Sequence, residues 1–516
     1  DPFPAPEAFV TYNFGHLMTA ACAHYHATGK AALLEIAEKL TSYLYSVYKT
    51  APATLAENAI CPSHYMGVVD MYRVTRNPQY LDLARGLIDI RDLVVDGTDH
   101  NQDRIPFRQQ TKAVGHAVRA NYLYAGVADV YAETGDTTLL EPLRSIWTNV
   151  VSSKMYVTGA TGALYDGASP DGGSDHKAIQ LVHQAYGREY QLPNITAYNE
   201  SCATIGFGLW NLRMLAITGE TRYADILERV LYNGLLGTIS LDGKKFFYRN
   251  TLRQVNDLPF PLRFSAQREP YMDCFCCPPN IVRTIAQVGT YAYGLSDGEV
   301  WVHLYGSNVL DTTLEDGSRF RLMQETEYPW EGQVRLTVCE ARQTDLTLML
   351  RIPAWAGGAT VRINGRVGQT SLKPGTYVSL RRTWSTGDVI DLDLPMRVRL
   401  LVAHPLVEES QNHVAIQRGP IVYCLESPDL PAGVPVSRVV IPRGIELTPR
   451  FERNLLGGVT VLEGQAKALC QDDWSGQLYR EAPREAPRQV GVRLIPYYAW
   501  GNRGSSEMAV WLPVDW

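Results

Sequence analysis

The sequence predicts a helical domain of stacked hairpins followed by two β-sandwich regions, and three observations carry that prediction. Up to about residue 292 the apolar residues recur at helical period, whereas beyond Gly294 they alternate at strand period between Gly, Pro and Asp turns. Four polar turns of similar make-up, Thr28-Gly29-Lys30, Thr75-Arg76-Asn77-Pro78, Thr134-Gly135-Asp136 and Thr218-Gly219-Glu220, each stop one amphipathic run and start another. The first helix of several hairpins is expected to open with a chemically capable residue: His16, His64, His116 and the Glu200/Cys202 pair. Helices that merely pack on a core rarely need such residues. Their recurrence favours a closed toroid of inner and outer helices over an open solenoid, with the polar residues converging at one rim as a funnel-shaped site.

The elements follow in order. After the first turn Leu33, Leu34, Ile36, Ala37, Leu40 and Leu44 keep a helical stripe, and after the last Tyr223, Ile226, Leu227, Val230 and Leu231 do the same. Strand period then marks residues 300–305, 333–338, 346–352 and 389–394 in one β-sandwich domain (293–397). A second β-sandwich (398–516) contains residues 415–417, 421–424 and 508–512, with the Pro- and Arg-rich stretch 481–488 as a surface loop. Neither β region shows chemistry, so both are expected to buttress the helical domain, residues 1–292. A chain of 516 residues has room for these three domains.

Composition narrows the function. A formal net charge of -6 provides no basic footprint for nucleic acid or an anionic membrane surface. No window approaches 18 consecutive apolar residues, and Asp1-Pro2-Phe3-Pro4 does not read as a signal peptide, leaving a cytoplasmic or periplasmic location of bacterial type open. A homodimer is compatible with the sequence.

Nine cysteines, an odd number with an adjacent pair, argue against a disulfide framework and for thiols kept as metal ligands or nucleophiles. The strongest local signal is Cys274-Phe275-Cys276-Cys277-Pro278-Pro279-Asn280 ahead of the helical run 281–286. The prolines mark a helix start, where unpaired N–H groups and the helix dipole favour thiolate over thiol. In Asn199-Glu200-Ser201-Cys202 a carboxylate and a thiol two residues apart converge in extended or helix-start backbone. Three thiolates and one carboxylate, from Glu200, Cys202, Cys276 and Cys277, suit Zn²⁺ better than Mg²⁺ or Ca²⁺. The segment Gly159–Ala163 and the Asp- and Gly-rich loop 166–175 match no phosphate or calcium motif and read as a rim loop.

Several motifs in order, Gly187 to Tyr190, Gln191-Leu192-Pro193-Asn194, Ala197 to Cys202, Leu231-Tyr232-Asn233-Gly234, Phe246-Phe247-Tyr248, Cys276 to Asn280 and Pro496 to Trp500, resemble glycoside hydrolase family 127. The resemblance implies an (α/α)6 barrel followed by β-sandwich domains, and hydrolysis of β-L-arabinofuranosides or, in a related branch, of aceric acid in a pectin side chain. It implies Glu200, Cys202, Cys276 and Cys277 as zinc ligands, Cys276 as nucleophile of a retaining mechanism, and His16, His64, His116 and Tyr248 as residues that hold the sugar. The expected partner is a plant-derived oligosaccharide or glycoside.

Two departures qualify the match. Where arabinofuranosidases of the family carry a catalytic Glu, this chain has Gln184, in His183-Gln184-Ala185-Tyr186-Gly187, and an amide cannot donate a proton usefully at neutral pH. Glu189 and His183 are the nearest replacements, with Glu189 the acid/base candidate and His183 and Gln184 expected on the sugar. Otherwise the substrate is an acidic sugar such as aceric acid, or the chain binds glycan and zinc without catalysis. Secondly, about nine helices are expected where a closed barrel needs twelve, so further helices are expected before Asp1.

Overall fold

The computed structural model describes residues 3, 5, 8–171, 179–341, 344–370, 372–469, 476–479, 481 and 485–516. Part of the expected rim loop 166–175, Cys470 and part of the loop 481–488 lie outside the described residues. Two compact units emerge, residues 1–156 with 160–217, and residues 157–159 with 218–516.

The first unit is helical: α1 (Val10–Thr28), α2 (Ala32–Thr50), α3 (Pro52–Glu57), α4 (Ser63–Thr75), α5 (Pro78–Asp89), α6 (Ala117–Thr134), α7 (Thr137–Ser153) and α8 (Ser201–Thr218). One local device ends the first helix of each hairpin. Thr28, Thr75 and Thr134 each donate a hydroxyl to the carbonyl four residues back, and each accepts the N–H two residues on. The left-handed residue between is Gly29, Arg76 or Gly135, as a helix C-terminus favours. α5 and α7 then start on a side-chain cap, with Asn77 accepting from Gln79 N–H and Asp136 from Thr138 N–H. At Thr218 the same contact to Glu220 N–H and a left-handed Gly219 recur.

Burial separates the two helices of the α6–α7 hairpin. α6 is buried continuously from Ala120 to Val130, whereas α7 buries one stripe that includes Leu139, Leu143, Ile146 and Val150. A helix buried all round is interior and one with a single buried stripe lies outside. α1 approaches α4 so closely that a Cβ on Gly15 would stand 2.2 Å from the His64 backbone nitrogen, and one on Gly67 would stand 2.7 Å from the Gly15 carbonyl oxygen.

The second unit holds α9 (Thr221–Arg229) and α10 (Cys277–Gln287), then the β-rich part. A six-stranded sheet and a four-stranded sheet share one core, in which Val300, Phe320, Val334, Leu336, Leu348, Val361 and Ile390 are buried. Alternate residues of Gln333–Glu340 and Thr344–Ile352 point into it, the period that the sequence shows.

The strands of the C-terminal part join, together with Arg253–Gln254, in one ten-stranded sheet. His413–Arg418 pairs with Trp511–Asp515 and also with Ile421–Glu426, which itself pairs with Arg488–Pro496, so the pairing path closes on itself. The reason is local. Gly419, at φ 53°, turns the chain tightly enough to pair the two flanking strands, a closure that strand period does not encode.

Candidate active site

Close packing of α1 on α4 brings His16 to the level of His64. The expectation that His16 opens its helix is corrected, since α1 begins at Val10 and His16 lies in its second turn. The approach at Gly15 offsets that difference, because it sets this turn against Ser63 and His64 at the start of α4. The His16 ring packs edge-on to Tyr12 at 4.4 Å and lies 6.2 Å from Tyr122 of α6. His64 is fully buried, with neither ring nitrogen hydrogen-bonded among the described residues. Burial and the Arg91 guanidinium push its pKa down to about 3, leaving a neutral imidazole that can donate and accept.

His116 precedes α6 and bridges to Ala185, while Tyr186 N–H donates to the Gly115 carbonyl at 2.9 Å. These contacts lay the strand Leu181–Ala185 beside His116. Gln184 on that strand has φ 51°, an uncommon conformation for a side-chain-bearing residue, and hydrogen-bonds His116. His100, which no sequence pattern singles out, joins them. Its carbonyl accepts from His116 N–H at 3.1 Å, and its ring lies 4.1 Å from that of His183 and 5.6 Å from that of His116. Burial, then Arg119 and His183, push the His100 pKa down to about 3, and burial with Arg119 and the two other imidazoles holds His116 well below its ordinary value. No carboxylate pairs with Arg119 among the described residues.

Glu189 sits differently. Its carboxylate accepts from Asn149 Nδ2 at 3.0 Å and lies 3.6 Å from Lys112 Nζ and 4.0 Å from Lys154 Nζ. Partial burial raises its pKa, but its own backbone N–H, Lys154, Asn149 and Lys112 outweigh that and hold it below the ordinary carboxylate value.

Glu200 and Cys202 flank the start of α8, and both are buried. Asn199, at φ 43°, donates its N–H to the Gly162 carbonyl at 2.8 Å, and Tyr198 N–H bonds the Ala163 carbonyl at 3.2 Å. The segment Gly159–Ala163 therefore acts as a splint that aims the residues before α8. A Cβ on Gly162, at φ 92°, would stand 2.9 Å from the Ala117 Cβ.

In the second unit Cys277 begins α10, with Pro278 and Pro279 in its first turn. Asn280 Nδ2 donates to the Cys276 carbonyl at 3.0 Å. The Cys276 and Cys277 sulfurs lie 3.8 Å apart, so no vicinal disulfide forms. Tyr248 presents its hydroxyl 3.6 Å from the Cys276 sulfur and 3.4 Å from that of Cys274.

One ligand atom from each of Glu200, Cys202, Cys276 and Cys277 lies within 4.8 Å of all the others, a donor set that could hold a metal ion. Residues 3–290 match the family model described as "Beta-L-arabinofuranosidase, GH127 catalytic domain", residues 299–396 its middle domain and residues 398–513 the "Glycoside hydrolase family 127 C-terminal domain". The chain belongs to glycoside hydrolase family 127.

Among its relatives, the "Non-reducing end beta-L-arabinofuranosidase" of Bifidobacterium longum is 33% identical over 534 residues, covering 97% of this chain and 78% of that protein. A solved structure titled "Glycoside hydrolase" is 53% identical with a TM-score of 0.95, covering 98% of this chain and 83% of the other. The GH127 β-L-arabinofuranosidase of Geobacillus stearothermophilus T6 is 37% identical with a TM-score of 0.87, covering 98% and 80%. This GH127 chain is a glycoside hydrolase of the β-L-arabinofuranosidase-like kind. Its helical N-terminal domain followed by β-rich domains has the architecture of the family, and no helix among the described residues is long and apolar enough to cross a membrane.

Proposed function

We propose that this GH127 enzyme removes β-L-arabinofuranosyl units from plant-derived glycans with retention, using Cys276 as nucleophile and Zn²⁺ on Glu200, Cys202, Cys276 and Cys277. The observation that carries the reading is the approach of three sulfurs and one carboxylate to within 4.8 Å. The donor set fits the ion. Bonds of about 2.3 Å to a tetrahedral zinc put two sulfurs roughly 3.8 Å apart, as Cys276 and Cys277 are. When bound, zinc would keep the Cys276 sulfur deprotonated at neutral pH.

The chain's own residues then supply the rest. The Cys276 thiolate attacks the anomeric carbon, the C–O bond to the leaving group breaks, and the departing oxygen takes a proton. Water, giving up a proton to the same group, displaces the sulfur and restores the thiolate. His16, His64, His116, Gln184 and Tyr248 hold the sugar, the neutral His64 and His116 serving as donors or acceptors to its hydroxyls. For the proton, the lysine-paired Glu189 favours its ionised form, opposite to what a general acid needs. The imidazole of His183, exposed on the strand Leu181–Ala185 beside His100 and His116, is the group proposed for the role. In this proposal the helical domain, residues 1–292, forms an (α/α)6 barrel, followed by β domains at 293–397 and 398–516.

A second reading is favoured by Gln184 and Arg119: a guanidinium with no carboxylate partner among the described residues, beside His100 and His116, suits an acidic sugar. Turnover of an aryl β-L-arabinofuranoside, followed by NMR, separates the readings. The first predicts release of the β-anomer from the neutral furanoside, which needs little acid assistance. Failure to cleave it, with cleavage of a carboxylate-bearing glycoside, establishes the second.

A further inference from the structure

The loop that leads into Cys276 exposes aromatic surface that folding does not require. Tyr271 is 66% and Phe275 53% exposed. Their rings stack, with centroids 5.9 Å and planes 27° apart. Between them in sequence, buried Met272 anchors the loop and Asp273 is exposed. Leaving two such rings in water forgoes roughly 1.5–3 kcal/mol apiece of burial, so an exposed, mutually stacked pair points to a ligand.

Its place in the chain says which ligand. Phe275 is the neighbour of Cys276, at a Cα separation of about 3.8 Å. Its backbone is held by the start of α10 and by the Asn280 bond to the Cys276 carbonyl. The Cys276 sulfur is already bordered by Tyr248, whose ring lies flat on Phe264 at 3.7 Å. One stacked aromatic pair thus borders this sulfur in space, half-sunk in the fold, and the second ends at its chain neighbour Phe275 and is open to solvent.

We propose that Tyr271 and Phe275 form the subsite for the leaving-group sugar, a platform on which the apolar C–H face of the next sugar ring of the glycan rests. This rests on the reading that Cys276 attacks the anomeric carbon. A sugar ring has one face poor in hydroxyls, which covers an aromatic ring, while its hydroxyl edge stays in water or reaches Asp273. The platform selects glycans with a sugar as leaving group over glycosides that lack one.

The test compares two substrates with the same β-L-arabinofuranosyl unit, a methyl glycoside and a disaccharide with arabinose as leaving group, on wild-type, Phe275→Ala, Tyr271→Ala and Phe275→Tyr enzyme. The ratio of kcat/KM for disaccharide over methyl glycoside is expected to fall about tenfold in both alanine variants, the scale of one lost aromatic contact, and to recover in Phe275→Tyr. Equal losses on both substrates would instead make the pair a structural support of the Cys276 loop and overturn the platform. So would an unchanged ratio, or dissociation of an oligomer in the alanine variants. Disaccharide binding to Cys276→Ser protein, with and without Phe275→Ala, is read in parallel by saturation-transfer NMR. Absence of turnover in the wild type overturns the proposed function, whereas binding that ignores Phe275 overturns the platform.

Discussion

The Tyr248 hydroxyl lies 3.6 Å from the Cys276 sulfur, and stacking on Phe264 at 3.7 Å keeps the ring there. A protonated thiol donates to the phenol oxygen; an ionised sulfur accepts from the phenol instead. Tyr248→Phe keeps the stack and removes only that donor. A hydrogen bond to a charged group contributes about 1.5–3 kcal/mol, so kcat/KM on an aryl β-L-arabinofuranoside is expected to fall by about 10–100-fold with metal content unchanged. Steady-state kinetics with metal analysis of the same sample checks both.

Proton transfer is assigned to His183 rather than Glu189, and the two separate by leaving group. His183→Gln is expected to slow a sugar glycoside by about 10²-fold or more and an aryl glycoside with a good leaving group far less. Glu189→Gln should leave the ratio of the two rates near the wild-type value. The opposite pattern in kcat/KM would return the role to Glu189.

Arg351, wholly buried, ties α9 to the strand Thr344–Ile352. It bonds Asp225 at 2.6 Å, Glu228, and the His303 carbonyl at 2.6 Å. Arg351→Met strands two carboxylates with little water around them. Breaking one side of a buried pair costs about 3–5 kcal/mol, read as a lowered denaturant midpoint.

Stability should fall on acidification. His64 and His100 have folded pKa values of about 3, below the unfolded value near 6.5. Between pH 6.5 and 3 the unfolded chain therefore binds protons that the folded chain does not. Unfolding free energy drops through that window by up to about 1.4 kcal/mol per pH unit for each histidine. His64→Gln is expected to flatten the slope in urea titrations between pH 7 and 4.

Local chemistry made the hairpins legible. Thr28, Thr75 and Thr134 with the following Gly29, Arg76 and Gly135 end helices through bonds spanning four residues or fewer, so the pattern is complete in the sequence. The start of α10 at Cys277 was legible for the same reason, through Pro278 and Pro279. His100 was not, because a loop histidine gains its meaning from contacts with His116 and His183, 16 and 83 residues away. The ring closure by His413–Arg418 was hidden because alternation fixes which face a residue takes and leaves the pairing partner open. The offset of His16 was likewise hidden, since it depends on how closely Gly15 lets α1 approach α4.

Cys276 is proposed both to form the bond to the sugar and to hold zinc together with Glu200, Cys202 and Cys277. Wild-type and Cys276→Ser protein, incubated with a β-L-arabinofuranosyl-configured covalent trap, are measured by mass spectrometry alongside metal content. About one zinc per wild-type chain and a single sugar adduct on Cys276, absent from the variant, is the predicted result. A zinc-loaded wild type that gains no adduct, or an adduct that persists in Cys276→Ser, would contradict it.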